Sequence, residues 1–354
     1  MIFREKMAAM LDPTGHTLDF FASMTVCPSD VRKIRTHVAE SGARVDPLRN
    51  LLITPLFANR DTLSMMREMA DGGAKVMFDS GGYYVQTGKV KYEELYMPLL
   101  AAYLANPWAD VYALPDHVPT TQDSAETVER KVRDTVDFST LFFQELPDAI
   151  KERAMPIVQG HHQWQVECCL KAYIKLGVRH IGFGSFGTTG KSGGVNVTTS
   201  ETVKVAKHVV AVAHAHGIKV HLFGLGVPAL LAMIKGIGAD SFDSSSWLKA
   251  AGFGQVFLPF TRAYSISHAS TNSELQQGIR FEAFNEMRYL TQHHCDFCCP
   301  AHRLQEKKMY RATHNLIVLQ EAVTMVNGKD YARIQQIYAN ASHHYRREYE
   351  KWLQ

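Results

Sequence analysis

Residues 155–184 read MPIVQGHHQWQVECCLKAYIKLGVRHIGFG, and this stretch decides the fold class. The short apolar run Met155–Gln159 predicts a strand, and Gln165–Leu176 has apolar residues at the spacing of an amphipathic helix. A second short apolar run, His180–Gly184, predicts the next strand. Strand, helix and strand in this order are typical of a βαβ unit, whose two strands are parallel.

The same alternation recurs on both sides of this stretch and makes eight β-then-α units. Eight such units predict a closed (β/α)8 TIM barrel of the α/β class. No GxGxxG loop follows an early strand, which argues against a dinucleotide-binding sheet. The other predicted strands are Thr17–Val26, Leu51–Phe57, Lys75–Asp79, Asp110–Leu114, Ile218–Gly224 and Ala239–Asp243. The other predicted helices cover Ser29–Ser41, Asp61–Ala70, Tyr92–Leu104, Pro228–Ile237 and Trp247–Ala251. Capping-box patterns start two more helices, one near Asp123 (with Glu126) and one at Thr198 (with Glu201).

Composition sets broad limits on function. The chain is 46% hydrophobic and 21% charged, which is ordinary for a globular protein, and its formal charge of +3 does not by itself indicate a polyanionic partner. No apolar region follows Arg4, Glu5 and Lys6, and no stretch is long and apolar enough to span a bilayer. We therefore expect a cytoplasmic protein with no membrane partner.

The alternation stops near residue 255, where a different organisation begins. We expect residues 1–255 to form the catalytic barrel and residues 256–354 to form a zinc-binding, helical C-terminal subdomain that is an appendage of the barrel. Long helical patterns occupy Leu316–Val326 and Tyr331–Trp352.

A cluster of cysteine and histidine residues opens this appendage. His293, Cys295 and Cys298, followed by His314, have the residue types and spacing of a closed tetrahedral Zn²⁺ site, and four protein ligands would make the metal structural. Crowded cysteines suit a metal in a reducing compartment better than disulfides. The alternative is a set of buried free thiols beside surface histidines.

Active sites of such barrels lie at the carboxyl ends of the strands. Asp79 and Asp243 end the predicted third and eighth strands, and Asp116 follows the predicted fourth strand. Singly, each is better explained by a helix cap or a loop role. Three carboxylates that meet in one cleft would shift each other's pKa values, which lets one act as nucleophile and another as acid or base.

Five segments in this order resemble motifs of the tRNA-guanine transglycosylases. FDSGGY (78–83) is similar to their DSGGFQ, IVQG (157–160) to IVQGG, and IGFGSFG (181–187) aligns without gaps on IGGLAVG. LFGLGVP (222–228) resembles LMGVGTP, and SFDS (241–244) resembles MFDC. Each motif alone is weak, but five in register are specific to the guanine transglycosylase superfamily.

The resemblance implies roles for individual residues. Asp243 would be the nucleophile that attacks C1′ of the target nucleotide and forms a covalent aspartyl-nucleotide intermediate. Asp79 would be the general acid and base. The remaining implied residues bind the base: Asp116 recognises the guanine-like edge, Gln159 binds its carbonyl side, Gly184 and Ser185 bound the pocket, and Tyr83 either stacks on the base or is a core aromatic residue.

The same family has a C-x-C-x-x-C motif followed by a histidine in an H-N-L helix. In this chain His293 stands at the position of the first cysteine, and the interval to His314 is shorter. These departures leave the ligand set open, because Cys299 or His302 could replace one of the four residues.

The substrate is less determined by the sequence. Ser244-Ser245-Ser246-Trp247 stands where the tRNA enzymes have V-L-P-T-R, and LPDHVP (114–119) stands where they read D-E-C. These departures resemble the DNA-guanine transglycosylase branch, which places 7-deazaguanines such as preQ0 in DNA. We therefore favour DNA as the partner, with the same exchange on tRNA (queuosine-type modification) as the alternative.

Two other classes remain open alternatives. A barrel glycosidase also uses paired carboxylates. A non-catalytic partner subunit would bind nucleic acid without exchanging a base. A homodimer or a partner protein is compatible with the sequence.

Overall fold

The structure is a computed structural model that describes residues 15–186, 198–266 and 278–340. Within these residues, nine short parallel strands form one sheet that curves into a barrel, with helices on its outside. The α/β barrel predicted from the alternating pattern is therefore confirmed. The strands of the barrel are β1 (Asp19–Ser23), β2 (Asn50–Ile53), β3 (Lys75–Phe78), β4 (Val111–Ala113), β5 (Ala154–Met155), β6 (Ile157–Val158), β7 (His180–Phe183), β8 (Lys219–Leu222) and β9 (Ser241–Ser244).

Nine strands fill eight barrel positions because Pro156 divides the fifth position into two. β5 pairs with β4, and β6 pairs with β7. Pro156 has no N–H to donate, but its carbonyl still accepts from the Gly182 N–H at 2.9 Å. On the opposite side β1 pairs with both β2 and β9, so the ring closes.

The helices cover the barrel through apolar faces at helical spacing. Val166, Cys169, Leu170 and Tyr173 line the buried face of the helix between β6 and β7. The helices of the barrel region are α1 (Pro28–Glu40), α2 (Arg60–Asp71), α3 (Gly82–Gln86), α4 (Tyr92–Ala105), α5 (Ala125–Glu145), α6 (Asp148–Lys151), α7 (Gln163–Leu176), α8 (Ser200–Ala215), α9 (Leu231–Ile237, after a 3₁₀ turn at Pro228–Leu230) and α10 (Ser246–Gly252).

Both capping-box predictions were wrong by one residue. Ser124, not Asp123, caps α5 by accepting from the Thr127 N–H. Asp123 instead accepts from the Thr120 N–H and from the Lys131 ammonium, both at 2.7 Å. Thr199, not Thr198, caps α8. Adjacent Ser, Thr and Asp residues are all good caps, so the backbone path decides between them.

The predicted strand Leu51–Phe57 also ends early. β2 stops at Ile53, and the next residues turn so that the Phe57 and Ala58 N–H groups donate to the Thr54 carbonyl at 3.1 and 3.0 Å. The turn leaves the Thr54 hydroxyl at the carboxyl end of the barrel.

The long helix α13 (Lys308–Asn327) packs against the barrel and has buried residues on most of its faces. Its Asn327 side chain accepts from the Leu18 N–H at 2.8 Å and donates to the Leu18 carbonyl at 2.9 Å, which connects the helix end to the chain just before β1.

A two-stranded antiparallel sheet, absent from the sequence prediction, precedes the C-terminal helices. The C-terminal elements are β10 (Gln255–Val256), β11 (Tyr264–Ser265), α11 (Phe281–Thr291), α12 (Arg303–Glu306), α13 (Lys308–Asn327) and α14 (Tyr331–Asn340).

Some sequence predictions concern residues that the structure does not describe. The end of the helix predicted at Tyr331–Trp352 and Gly187 of the 181–187 motif lie outside the described residues. The division of the chain at residue 255 stays a prediction. Among the helices in the described ranges, none is both long and apolar enough to cross a membrane.

Candidate active site and metal centre

Asp79 follows β3 at the carboxyl end of the barrel. Its Oδ2 accepts hydrogen bonds from the Thr54 hydroxyl at 2.9 Å and from the Gly81 N–H at 3.3 Å. Burial is the main cause that raises the pKa of Asp79 to about 7; the carboxyl groups of Asp116 and Asp243 add to the rise, and the Thr54 hydrogen bond opposes it. Asp79 therefore exchanges a proton near neutral pH.

Asp116 follows β4 and is buried. The Ser80 hydroxyl donates to its Oδ1 at 2.7 Å, and the Gln159 amide donates to its Oδ2 at 2.6 Å. Burial raises the pKa of Asp116 to about 6, while these two hydrogen bonds oppose that rise. Each carboxylate oxygen can accept a second hydrogen bond, so the group can still bind a ligand.

Gln159 is fixed in one orientation by Ser185. The Gly160 N–H donates to the Ser185 hydroxyl at 2.9 Å, and that hydroxyl donates to Gln159 Oε1 at 2.5 Å. Both side chains are buried. Because Oε1 is engaged, the amide nitrogen of Gln159 points towards Asp116.

Two glycines allow the backbone to lie directly against these side chains. A Cβ atom on Gly184 would lie 2.6 Å from Gln159 Nε2, and one on Gly82 would lie 2.7 Å from Asp116 Oδ1. Both distances are too short for any side chain, so the site needs glycine at both positions.

Asp243 lies in β9 and is 6% exposed. The Gly224 N–H donates to its Oδ1 at 2.7 Å, and the Ser23 hydroxyl donates to its Oδ2 at 3.0 Å. Sequence reasoning missed Ser23, Thr54 and Ser80, although all three also lie at or just beyond the ends of strands.

The predicted site residues come together at one end of the barrel. The strands that carry Asp243, Asp79, Asp116 and Gln159 belong to one continuous ring, and the first three carboxyl groups interact electrostatically. Tyr83 lies at the rim and is 37% exposed, with the Lys249 ammonium 5.6 Å from its ring centroid. It is therefore not a core aromatic residue, and its stacking on a base stays a prediction.

The predicted metal ligands also converge. The ligand atoms of His293, Cys295, Cys298 and His314 all lie within 4.8 Å of one another, and all four residues are buried. Cys295 Sγ lies 3.5 Å from Cys298 Sγ and 3.4 Å from His314 Nδ1. Two thiols and two imidazoles in this arrangement match a tetrahedral Zn²⁺ site.

The outer nitrogen of each histidine has its own partner. His293 Nδ1 contacts Glu321 Oε2 at 2.5 Å, and His314 Nε2 contacts the Phe257 carbonyl at 2.8 Å. These contacts direct His293 Nε2 and His314 Nδ1 towards the centre of the cluster, 3.1 Å apart. Such outer partners are typical of metal-bound histidines, so the residues fit Zn²⁺.

Neither alternative ligand belongs to the cluster. The Cys299 thiol contacts the Arg288 guanidinium and lies 3.9 Å from His294 Nδ1. His302 is exposed. Among the described residues, the group that can hold a metal at this place is the predicted quartet.

Comparison with known proteins identifies the family. The family model described as queuine tRNA-ribosyltransferase matches residues 103–327, which is more than half of the chain. The matched stretch contains Asp116, Gln159, Asp243 and the Cys/His cluster, while Asp79 precedes it. A comparison with curated proteins gives no match. Members of this family are guanine transglycosylases, which are pentosyltransferases that act on a guanine base in nucleic acid. The chain belongs to the queuine tRNA-ribosyltransferase family.

Proposed function

We propose that this protein replaces a guanine in DNA with a 7-deazaguanine, with Asp243 as nucleophile and Asp79 as acid and base. The observation that carries the proposal is the pair of carboxyl groups at one barrel mouth. Two donors orient the carboxylate of Asp243, while Asp79 beside it has a pKa raised to about 7. Two neighbouring carboxyl groups in such different surroundings suit two different roles in catalysis.

In the first step a carboxylate oxygen of Asp243 attacks C1′ of the target nucleotide. The C1′–N9 bond breaks, and its electron pair leaves with guanine. The protonated form of Asp79 gives its proton to the departing base, which leaves as neutral guanine. The products are an ester between Asp243 and C1′ and the carboxylate form of Asp79.

In the second step the proton returns. The carboxylate of Asp79 takes the N9 proton of the incoming base, and N9 attacks C1′. The ester C–O bond breaks, which restores the carboxylate of Asp243 and the carboxyl group of Asp79. A pKa of about 7 suits Asp79 because this one group must both donate and accept a proton at the same pH.

The base is recognised through the edge that guanine and 7-deazaguanines share. Asp116 accepts from N1–H and the exocyclic amine, and the second amide hydrogen of Gln159 donates to the carbonyl oxygen. The backbone at Gly184 and the residue Ser185 bound the flat pocket. A site that reads this edge binds the leaving and incoming bases alike, as an exchange requires.

The preference for DNA rests on the sequence departures around Ser244–Trp247 and 114–119. A base in duplex DNA must be flipped out of the stack before Asp243 can reach C1′. The second candidate is exchange on tRNA, which the description of the matched family favours. Both candidates use the same chemistry and differ in the polymer that is bound.

The Cys/His quartet would hold Zn²⁺ in a structural role. Four protein ligands would leave no coordination position for water, so the metal would take no part in base exchange. His314 lies on α13 beside Asn315, whose side chain accepts from the Phe257 N–H at 2.8 Å and donates to the Trp247 carbonyl at 3.1 Å. The site would therefore stabilise the contact of α13 with the barrel.

A base-exchange assay tests the proposal. The protein is incubated with labelled guanine and, in parallel, with DNA and with tRNA, using Asp243→Asn as the inactive variant and the exposed Asp148→Asn as the matched control. Label in DNA that Asp148→Asn retains and Asp243→Asn loses supports the proposal. Label in tRNA alone favours the second candidate, release of free sugar favours a glycosidase, and binding without exchange favours a non-catalytic subunit.

A further inference from the structure

We propose that His221 is a positioning residue that holds the nucleophile from inside the barrel; this inference rests on the proposed role of Asp243. His221 lies in β8 and is 2% exposed. Its Nε2 atom lies 3.5 Å from Asp243 Oδ1 and has no hydrogen-bond partner within the described ranges. A buried polar atom that faces a single carboxylate indicates an interaction with that carboxylate.

The second ring nitrogen determines which atom carries the proton. His221 Nδ1 lies 2.8 Å from the Ser241 hydroxyl. When that hydroxyl donates to Nδ1, a neutral imidazole carries its proton on Nε2, the atom that lies 3.5 Å from Asp243 Oδ1. Phe21 and Phe223 contact the ring edge to face, with centroids 5.7 and 4.6 Å away, and fix its plane.

This arrangement gives the two carboxylate oxygens of Asp243 different contacts. Oδ1 receives the Gly224 N–H at 2.7 Å and faces His221, whereas the donor to Oδ2 among the described residues is the Ser23 hydroxyl at 3.0 Å. Oδ1 is therefore held from below, and Oδ2 is the oxygen that forms the bond to C1′. His221 acts through Asp243 and touches neither the base nor the nucleic acid.

A cavity of about 590 Å³ reaches His221 from the opposite end of the barrel. Phe21, His221 and Ser241 line its inner part. The charged and titratable groups along it are His16, Asp19, Lys75, His180, Lys219 and Asp240. A small molecule can therefore approach the place of the imidazole without passing through the substrate pocket.

Substitutions of similar size test the role of the N–H group. His221→Met fills the space without a donor, and His221→Gln keeps an amide N–H. We expect His221→Met to lower kcat for base exchange about tenfold, because the polar contact with the Asp243 carboxylate is lost, and to leave KM for the incoming base unchanged. His221→Gln should recover much of the loss. His180→Met and His180→Gln, which alter the same cavity at its outer end, should match the unmodified protein.

Chemical rescue provides an independent measurement. His221→Ala leaves a space continuous with the cavity, so added imidazole should restore part of kcat in this variant and have no effect on His180→Ala. Equal kcat in the Met and Gln variants of His221, or no effect of imidazole on His221→Ala, would overturn the inference. Failure of the proposed function looks different, because then the unmodified protein shows no exchange at all.

Discussion

Replacing Asp79 with asparagine should stabilise the protein at alkaline pH while it removes activity. Both hydrogen bonds that Asp79 accepts fall on Oδ2, from the Thr54 hydroxyl and the Gly81 N–H. An asparagine side-chain oxygen in the same place accepts both. The substitution therefore keeps the shape and contacts of the side chain and removes only its ability to carry charge or a proton.

The size of the effect follows from the pKa. Folding raises the pKa of Asp79 from 3.8 to about 7, chiefly because burial disfavours the charged form. The folded state thus binds this proton more tightly than the unfolded chain does. The resulting stability is complete below the ordinary pKa of an aspartate and is lost as pH rises through about 7. At about 1.4 kcal/mol per pKa unit, the ionised group costs about 4 kcal/mol of folding free energy at alkaline pH.

Thermal and urea unfolding at about pH 4 and about pH 8 measure this difference for the unmodified protein, Asp79→Asn and the exposed control Asp148→Asn. Asp79→Asn should unfold at a higher temperature than the unmodified protein at the higher pH. The difference between the two unfolding temperatures should shrink at the lower pH. Base exchange should fall by about 10²–10⁴-fold, the usual contribution of a general acid or base. An Asp79→Asn protein that is less stable than the unmodified protein at the higher pH, or a stability difference that is the same at both pH values, would refute the raised pKa.

Four further predictions concern the base pocket and the metal. Asp116→Asn should raise KM for guanine by about 10-fold or more, because an amide cannot accept both donors of the base, and steady-state kinetics would contradict this if KM were unchanged. Since the pKa of Asp116 is raised to about 6, base binding to the unmodified protein should weaken as pH falls through that value, which titration calorimetry measures. Gly184→Ala should abolish exchange because its Cβ would lie 2.6 Å from a pocket amide, while Gly252→Ala, which meets nothing within 4 Å, should not; equal activity of the two would contradict the pocket geometry. Elemental analysis should find one Zn²⁺ per chain, lost together with thermal stability in Cys298→Ser but not in the exposed Cys27→Ser, and a metal-free but equally stable protein would show that the cluster is only a set of buried thiols.

The sequence predicts those parts of the fold that depend on local periodicity. Short apolar runs that alternate with amphipathic helical patterns predict all eight strand positions. A strand buried on both sides and an amphipathic helix differ in the spacing of their apolar residues. Local pattern does not determine where an element ends. Pro156 divides the fifth strand, and β2 stops at Ile53, because turns and pairing partners elsewhere decide those ends.

The same distinction applies to the site. Asp79, Asp116 and Asp243 were predictable because polar residues at or just beyond the carboxyl ends of buried barrel strands lie at the mouth of the barrel. Ser23 and His221 were not, because their importance depends on the strand beside them in the barrel and not on their neighbours in sequence. The long-range contacts that give these residues a role exist only in the closed ring.

The covalent ester on Asp243 is the claim on which the proposed chemistry depends. Denaturing electrophoresis and peptide mass spectrometry of the protein quenched during exchange with DNA or tRNA test it directly. We predict an adduct of the substrate nucleotide on the peptide that contains Asp243, absent from Asp243→Asn and retained by Asp148→Asn. An adduct on another residue, or undiminished exchange by Asp243→Asn, would contradict the account.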